Sequence, residues 1–233
     1  MAFVCVVAVF ATTLFVTMVN NKKEEEKAAR ATAQSELQPL EPTEQKPKEY
    51  DYHVCIETGH GIDAQGKWDT GCTWNGYEEA KLMIPITQAM SDYLTAHNVD
   101  VYTDAFSEND RNLDVTLDYL DTHEEIDAFV NVHCDYGNAA SGTMPLYNTD
   151  EQKKLAECLN QAVHEAIDIP DRGLQYRTDL ETLCNPKVHC TSCLFETGSI
   201  SSDNEILTNQ AKAYGEALAK GLLNYLNQEH TAQ

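Results

Sequence analysis

Five short apolar runs, at about residues 53–57, 99–103, 128–133, 143–147 and 190–196, alternate with stretches whose apolar positions recur every three or four residues. Short runs rich in β-branched and aromatic residues read as strands, and the longer 3.6-residue periodicity reads as helix. The helical stripes are Met83, Ile86, Met90 and Leu94; then Leu155, Leu159, Val163 and Ile167; then Leu207, Ala211, Tyr214, Leu218, Leu222 and Tyr225. This alternation predicts an α/β fold, a single three-layer domain over residues 51–228 with a mostly parallel twisted sheet flanked by helices on both faces. Pro170-Asp171-Arg172-Gly173 reads as a loop between elements.

The pattern is different ahead of that domain. Residues 2–19 carry no charge and are just long enough to cross a bilayer as a helix, so residues 1–19 are expected to be a transmembrane anchor or signal segment. Residues 20–50 are rich in Glu, Lys, Gln, Ala and Pro and nearly free of large apolar side chains, the composition of a disordered linker. A tethered domain facing the outside of the membrane is the expected arrangement. Lys22 and Lys23 follow the apolar run and no Lys or Arg precedes it, a placement that by itself points to the opposite orientation.

Charge narrows the partners. The chain of 233 residues has a net charge of −22, and since residues 20–50 hold six basic and seven acidic residues, nearly all of it falls on the folded part. Such a field disfavours nucleic acid and anionic membrane surfaces. Of the eight cysteines, Cys5 lies in the apolar run and seven remain, an odd number that cannot all pair within the chain. Cys184 and Cys190 could close a loop disulfide in an oxidising compartment, and free thiols are equally compatible with an anaerobic one. Cys184, His189, Cys190 and Cys193 lack the paired Cys-x-x-Cys knuckles of a structural zinc site.

Candidate chemistry sits where the apolar runs end. His60 follows the first run with Gly59 and Gly61 on either side, and His133 terminates an otherwise apolar strand. Glu79 falls in the first turn of the helix after strand one. Each has an ordinary explanation alone: a loop histidine, a satisfied core histidine, and a carboxylate favoured near a helix N-terminus. In an open α/β sheet, however, the carboxyl ends of the strands form one crevice, so the three are expected to converge. Two histidines and one carboxylate are the His₂Glu set of catalytic zinc, which leaves a fourth position for water. Glu196 closes the last strand at the same edge, where a carboxylate is placed to act as a general base.

The same segments carry a family resemblance. Glu57-Thr58-Gly59-His60-Gly61, Asp69-Thr70-Gly71-Cys72 with Gly76-Tyr77-Glu78-Glu79, the strand from Ile126 to His133, Ser141-Gly142-Thr143, Arg172-Gly173-Leu174, and Leu194-Phe195-Glu196-Thr197-Gly198 with Ser201-Ser202-Asp203 occur in order over roughly residues 53–226. As a set they resemble the zinc-dependent N-acetylmuramoyl-L-alanine amidases of the type 3 class. The resemblance implies hydrolysis of the amide between muramic acid and L-alanine in peptidoglycan, zinc on His60, Glu79 and His133, and Glu196 as general base. It departs in a longer spacer between Gly61 and Asp69, in Thr103-Asp104 where the family has Thr-Arg, in Thr116 for an Arg, and in Ser199 for a Phe.

Three alternatives stand beside this reading. Glu78 is adjacent to Glu79 and could replace it as ligand. His60 with Asp63 could form the metal pair of a zinc peptidase that cuts within the stem peptide. A catalytically inactive peptidoglycan-binding module would need no base such as Glu196.

Overall fold

The computed structural model describes residues 49–63, 65–107 and 111–232. The strands are β1 (Tyr52–Thr58), β2 (Gly61–Ile62), β3 (Trp68–Asp69), β4 (Thr73–Trp74), β5 (Tyr77–Glu78), β6 (Val99–Thr103), β7 (Ala128–Asp135), β8 (Met144–Tyr147), β9 (Gln175–Tyr176) and β10 (Thr191–Ser199). The helices are α1 (Glu79–Leu82), α2 (Ile84–Ala96), α3 (Leu113–Thr122), α4 (Asp150–Ala166), α5 (Glu181–Cys184), α6 (Asn204–Asn209) and α7 (Ala211–Ala232).

Six strands form one sheet in the order β6-β1-β7-β10-β8-β9. Neighbours run parallel except β10 and β8, which pair antiparallel. The central strands are buried on both faces, as continuous apolar runs in a parallel sheet require. Alternate residues separate the two faces: Val54, Ile56, Val130 and Phe195 join the large core under α2, α4 and α7, whereas Cys55 and Phe129 pack with Leu120 of α3. Each fully buried side chain of this kind contributes about 1.5–3 kcal/mol.

Local signals fix the helix starts. Thr149 and Gln152 form a reciprocal capping box at α4, with the Gln152 backbone N–H donating to the Thr149 hydroxyl and the Thr149 N–H to the Gln152 side chain. Pro85 sits in the first turn of α2, where its missing N–H costs nothing.

The single α/β domain matches the expected fold, with differences at the edges. The run at 143–147 becomes a strand only from Met144, and Thr143 makes an isolated bridge to Asp171. The last helical stripe is divided at Gln210 into α6 and α7. The expected membrane segment, and the linker up to residue 48, lie outside the described residues. Among the described residues no helix is long and apolar enough to cross a membrane.

Chain order explains where the crevice forms. From β1 the chain moves to β6 on one side and then crosses to β7 on the other, so the carboxyl ends of β1, β7 and β10 flank a reversal of direction.

Candidate metal centre

Three side chains from three elements meet at that edge. The ligating atoms of His60, Glu79 and His133 all lie within 4.8 Å of one another. Glu79 Oε2 is 3.2 Å from His60 Nε2, and Glu79 Oε1 is 2.9 Å from His133 Nδ1. The two imidazoles meet edge to face with centroids 5.1 Å apart.

The backbone is bent to allow this. His60 adopts φ 62°, a left-handed conformation uncommon for a residue with a side chain. Close approach also dictates two glycines. A Cβ on Gly71 would lie 2.4 Å from His60 Cδ2 and 2.6 Å from Glu79 Oε2, and one on Gly59 would lie 2.6 Å from His133 Nδ1.

Glu79 is only 2% exposed, and its charge is met on every side. Its Oε1 accepts the Cys134 N–H at 3.1 Å and its Oε2 the Cys72 N–H at 3.0 Å. Burial works against the carboxylate, but the hydrogen bonds from His133 and His60 outweigh it and hold the group ionised well below the usual range. The partner effect appears on His60: burial lowers its pKa, yet Glu79 and Asp69 raise it from 6.5 to about 9. His60 Nδ1 lies 2.8 Å from Asp69 Oδ2. A ring nitrogen tied to a carboxylate leaves the other nitrogen aimed inward, the outer-shell arrangement of metal-ligating histidines.

The donor set fits a divalent metal. Two imidazole nitrogens and one carboxylate share a small space, the donor types that a divalent metal takes. Glu78 points elsewhere, accepting from Trp68 Nε1 at 2.9 Å and pairing with Lys81 at 2.9 Å. Asp63 Oδ1 accepts the Gln65 and Lys67 N–H groups at 2.9 and 2.8 Å, so it organises the β2–β3 turn.

Glu196 is the register partner of His133 on the adjacent parallel strand, so both side chains leave the same face of the sheet. Its Oε2 is buried without a hydrogen-bond partner. Burial, followed by the charges of Glu79 and Asp135, raises its pKa from 4.5 to about 8, while Arg172 and His60 oppose the rise. A cavity of about 470 Å³ opens beside it, lined by Asp135, Tyr136, Arg172, Gln175 and Arg177 among others. Arg172 is fixed there by Asp135 at 2.6 Å and by the Ala140 carbonyl at 3.0 Å.

Two supports escape the motif pattern. Arg111, buried, donates to the Gly59 carbonyl at 3.3 Å and to the Ala80 carbonyl at 2.7 Å, which ties together the neighbours of His60 and Glu79. Asp104 accepts the Thr58 N–H at 2.8 Å and so holds the end of β1. Burial raises the Asp104 pKa from 3.8 to about 6. Only Asp104 had a sequence signal, as a departure from the family pattern.

Residues 54–228 match the family model for N-acetylmuramoyl-L-alanine amidase. The chain belongs to that family. Solved structures agree with the amidase assignment in fold. The N-acetylmuramoyl-L-alanine amidase AmiC2 of Nostoc punctiforme is 26% identical with a TM-score of 0.65, covering 76% of this amidase and 97% of that chain. The CwlD amidase of Clostridioides difficile, solved in complex with the GerS lipoprotein, is 18% identical with a TM-score of 0.64, covering 76% and 100%. Ami1 of Mycobacterium smegmatis is 19% identical with a TM-score of 0.64, covering 77% and 98%. No curated protein matches the amidase.

Proposed function

We propose that this amidase hydrolyses the bond between N-acetylmuramic acid and L-alanine in peptidoglycan, with zinc held by His60, Glu79 and His133 and with Glu196 as general base. The observation that carries the reading is the convergence of the two histidines on one buried carboxylate, with Glu196 beside them in register. When bound, zinc supplies a Lewis acid for the scissile carbonyl and lowers the pKa of water to about 7.

The remaining work belongs to the protein. Asp69 orients His60, while the Cys72 and Cys134 amides and Arg111 hold the Glu79 end of the site. Glu196 takes a proton from the attacking water as its oxygen adds to the carbonyl carbon. The same carboxyl group then gives that proton to the L-alanine nitrogen as the C–N bond breaks. Burial holds the Glu196 pKa above the ordinary carboxylate range, which favours release of the proton to the leaving nitrogen only after the carboxylate has taken it up. Action on the wall side of the membrane, with residues 1–19 as an anchor or signal segment, belongs to the same proposal.

The test is digestion of purified peptidoglycan by the zinc-supplemented protein, with products read by mass spectrometry beside chelator and Glu196→Gln controls. Stem peptides with a free L-alanine amine, absent from both controls, are the expected products. Cuts within the stem peptide would instead indicate a peptidase, and firm peptidoglycan binding without products would indicate a binding module.

A further inference from the structure

Two thiols that the proposed reaction does not use lie beside Glu79. Cys72, at the turn into β4, and Cys134, next to the last residue of β7, are separated widely in sequence but bring their sulfurs and a Glu79 carboxylate oxygen within 4.8 Å of one another. The Cys72 thiol donates to the Cys134 carbonyl at 3.5 Å and to the Asp135 carbonyl at 3.6 Å, which holds it against the end of β7. Cys134 is 2% exposed, and Cys72 is half-buried and so the more accessible of the pair. Both are free thiols in this structure. Their backbone N–H groups are the two that hold opposite oxygens of Glu79.

We propose that Cys72 and Cys134 form a disulfide that staples the loop ahead of Glu79 to the end of β7. The oxidant is a small disulfide of the glutathione class. The Cys72 sulfur attacks it, releasing one glutathione thiol, and the Cys134 sulfur then displaces the second from the mixed disulfide. Two protein thiols are oxidised to one disulfide, and one glutathione disulfide is reduced to two thiols. The bridge encloses β4, β5, α1, α2, β6 and α3, a long loop whose closure constrains the unfolded chain strongly. It also fixes both amide donors of Glu79 relative to each other. The inference goes beyond the amidase reading and does not depend on it, because its readouts are covalent and thermal.

The full chain is incubated with glutathione disulfide or with dithiothreitol, unfolded, alkylated and mapped by peptide mass spectrometry, and its thermal midpoint is followed in parallel. The expected result is a cross-linked peptide containing Cys72 and Cys134 and a midpoint higher by about 10 °C, a shift lost in Cys72→Ser and kept in Cys184→Ser. Alkylation of both Cys72 and Cys134 after oxidation, or a bridge only between other cysteines, would overturn the proposal. A Cys72–Cys134 bridge without a thermal gain would overturn its role as a staple. Protection of both sulfurs by added zinc, with no bridge formed, would assign them to metal instead. Mapping the unsubstituted chain decides the matter even if Cys72→Ser does not fold.

Discussion

Asp69 holds His60 from behind: their side chains meet at 2.8 Å through Nδ1, on the opposite side of the ring from the Nε2 that faces Glu79. This contact fixes both the tautomer and the angle of a proposed ligand. Asp69→Asn is therefore expected to weaken zinc binding about 10–100-fold while leaving the fold intact. Titration calorimetry with zinc checks it, and unchanged affinity would remove Asp69 from the orienting role.

Metal affinity should depend on pH through the same histidine. A cation must displace the proton that Glu79 and Asp69 hold on His60 up to about pH 9, so affinity should rise about tenfold per unit from pH 7 towards 9 and level off above. The stability sign is opposite. Because the folded pKa lies above the ordinary 6.5, the stabilisation is fully present below pH 6.5 and disappears as pH rises through about 9 in the metal-free protein. Chelator-treated samples melted across this range, beside His60→Gln, would expose the His60 contribution as the difference between the two curves.

Glu196→Gln keeps the shape of the side chain and removes its basicity. The expected outcome is retained zinc with cleavage reduced about 10²–10⁴-fold. Stoichiometric metal analysis run on the sample used for kinetics separates the two effects. Loss of zinc in this variant would mean that Glu196 serves the metal site itself.

Asp203 makes a prediction about stability rather than chemistry. Its buried carboxylate accepts the Ser199 N–H at 2.7 Å, the Gly142 N–H at 3.0 Å and the Ser141 hydroxyl at 2.5 Å, joining the end of β10 to the loop before β8. Asp203→Ala should cost about 3 kcal/mol, since each hydrogen bond to a charged group is worth about 1.5–3 kcal/mol and part of the loss is recovered by relaxation. Urea unfolding measures it, and a change below about 1 kcal/mol would show that these bonds contribute little beyond what water replaces.

The sequence exposes this fold where burial is two-sided. β1, β7 and β10 are readable because parallel strands covered by helices must be apolar along their length, and the edge strand β6 shows instead as a short run rich in β-branched residues. β2, β3, β4, β5 and β9 are two residues each, too short for any periodicity to register. His60, His133 and Glu196 stand out because each ends an apolar stretch, and Glu79 because it opens a helix. The β5–α1 junction turns Glu78 to Trp68 and Lys81 and leaves Glu79 beside the two histidines. The parts of the site that stay hidden act through backbone groups: Arg111 on two carbonyls, and Cys72 and Cys134 through their amides. Side-chain patterning carries no trace of such bonds. Nor does it reveal the meeting of two thiols, which depends on how the loop before α1 folds back over β7.

The β2–β3 hairpin begins one residue after His60 and ends on Asp69. The additional length between Gly61 and Asp69 is thus contained in an excursion that leaves the proposed ligand and returns to it, closed at its base by the pairing of Gly61 with Asp69. Whatever happens at the tip of such an excursion is mechanically insulated from the histidine. Insertions or deletions there can reshape the rim that meets a substrate while the floor of the site stays still, so this segment is one through which related enzymes can diverge in what they grip without renegotiating how they cut.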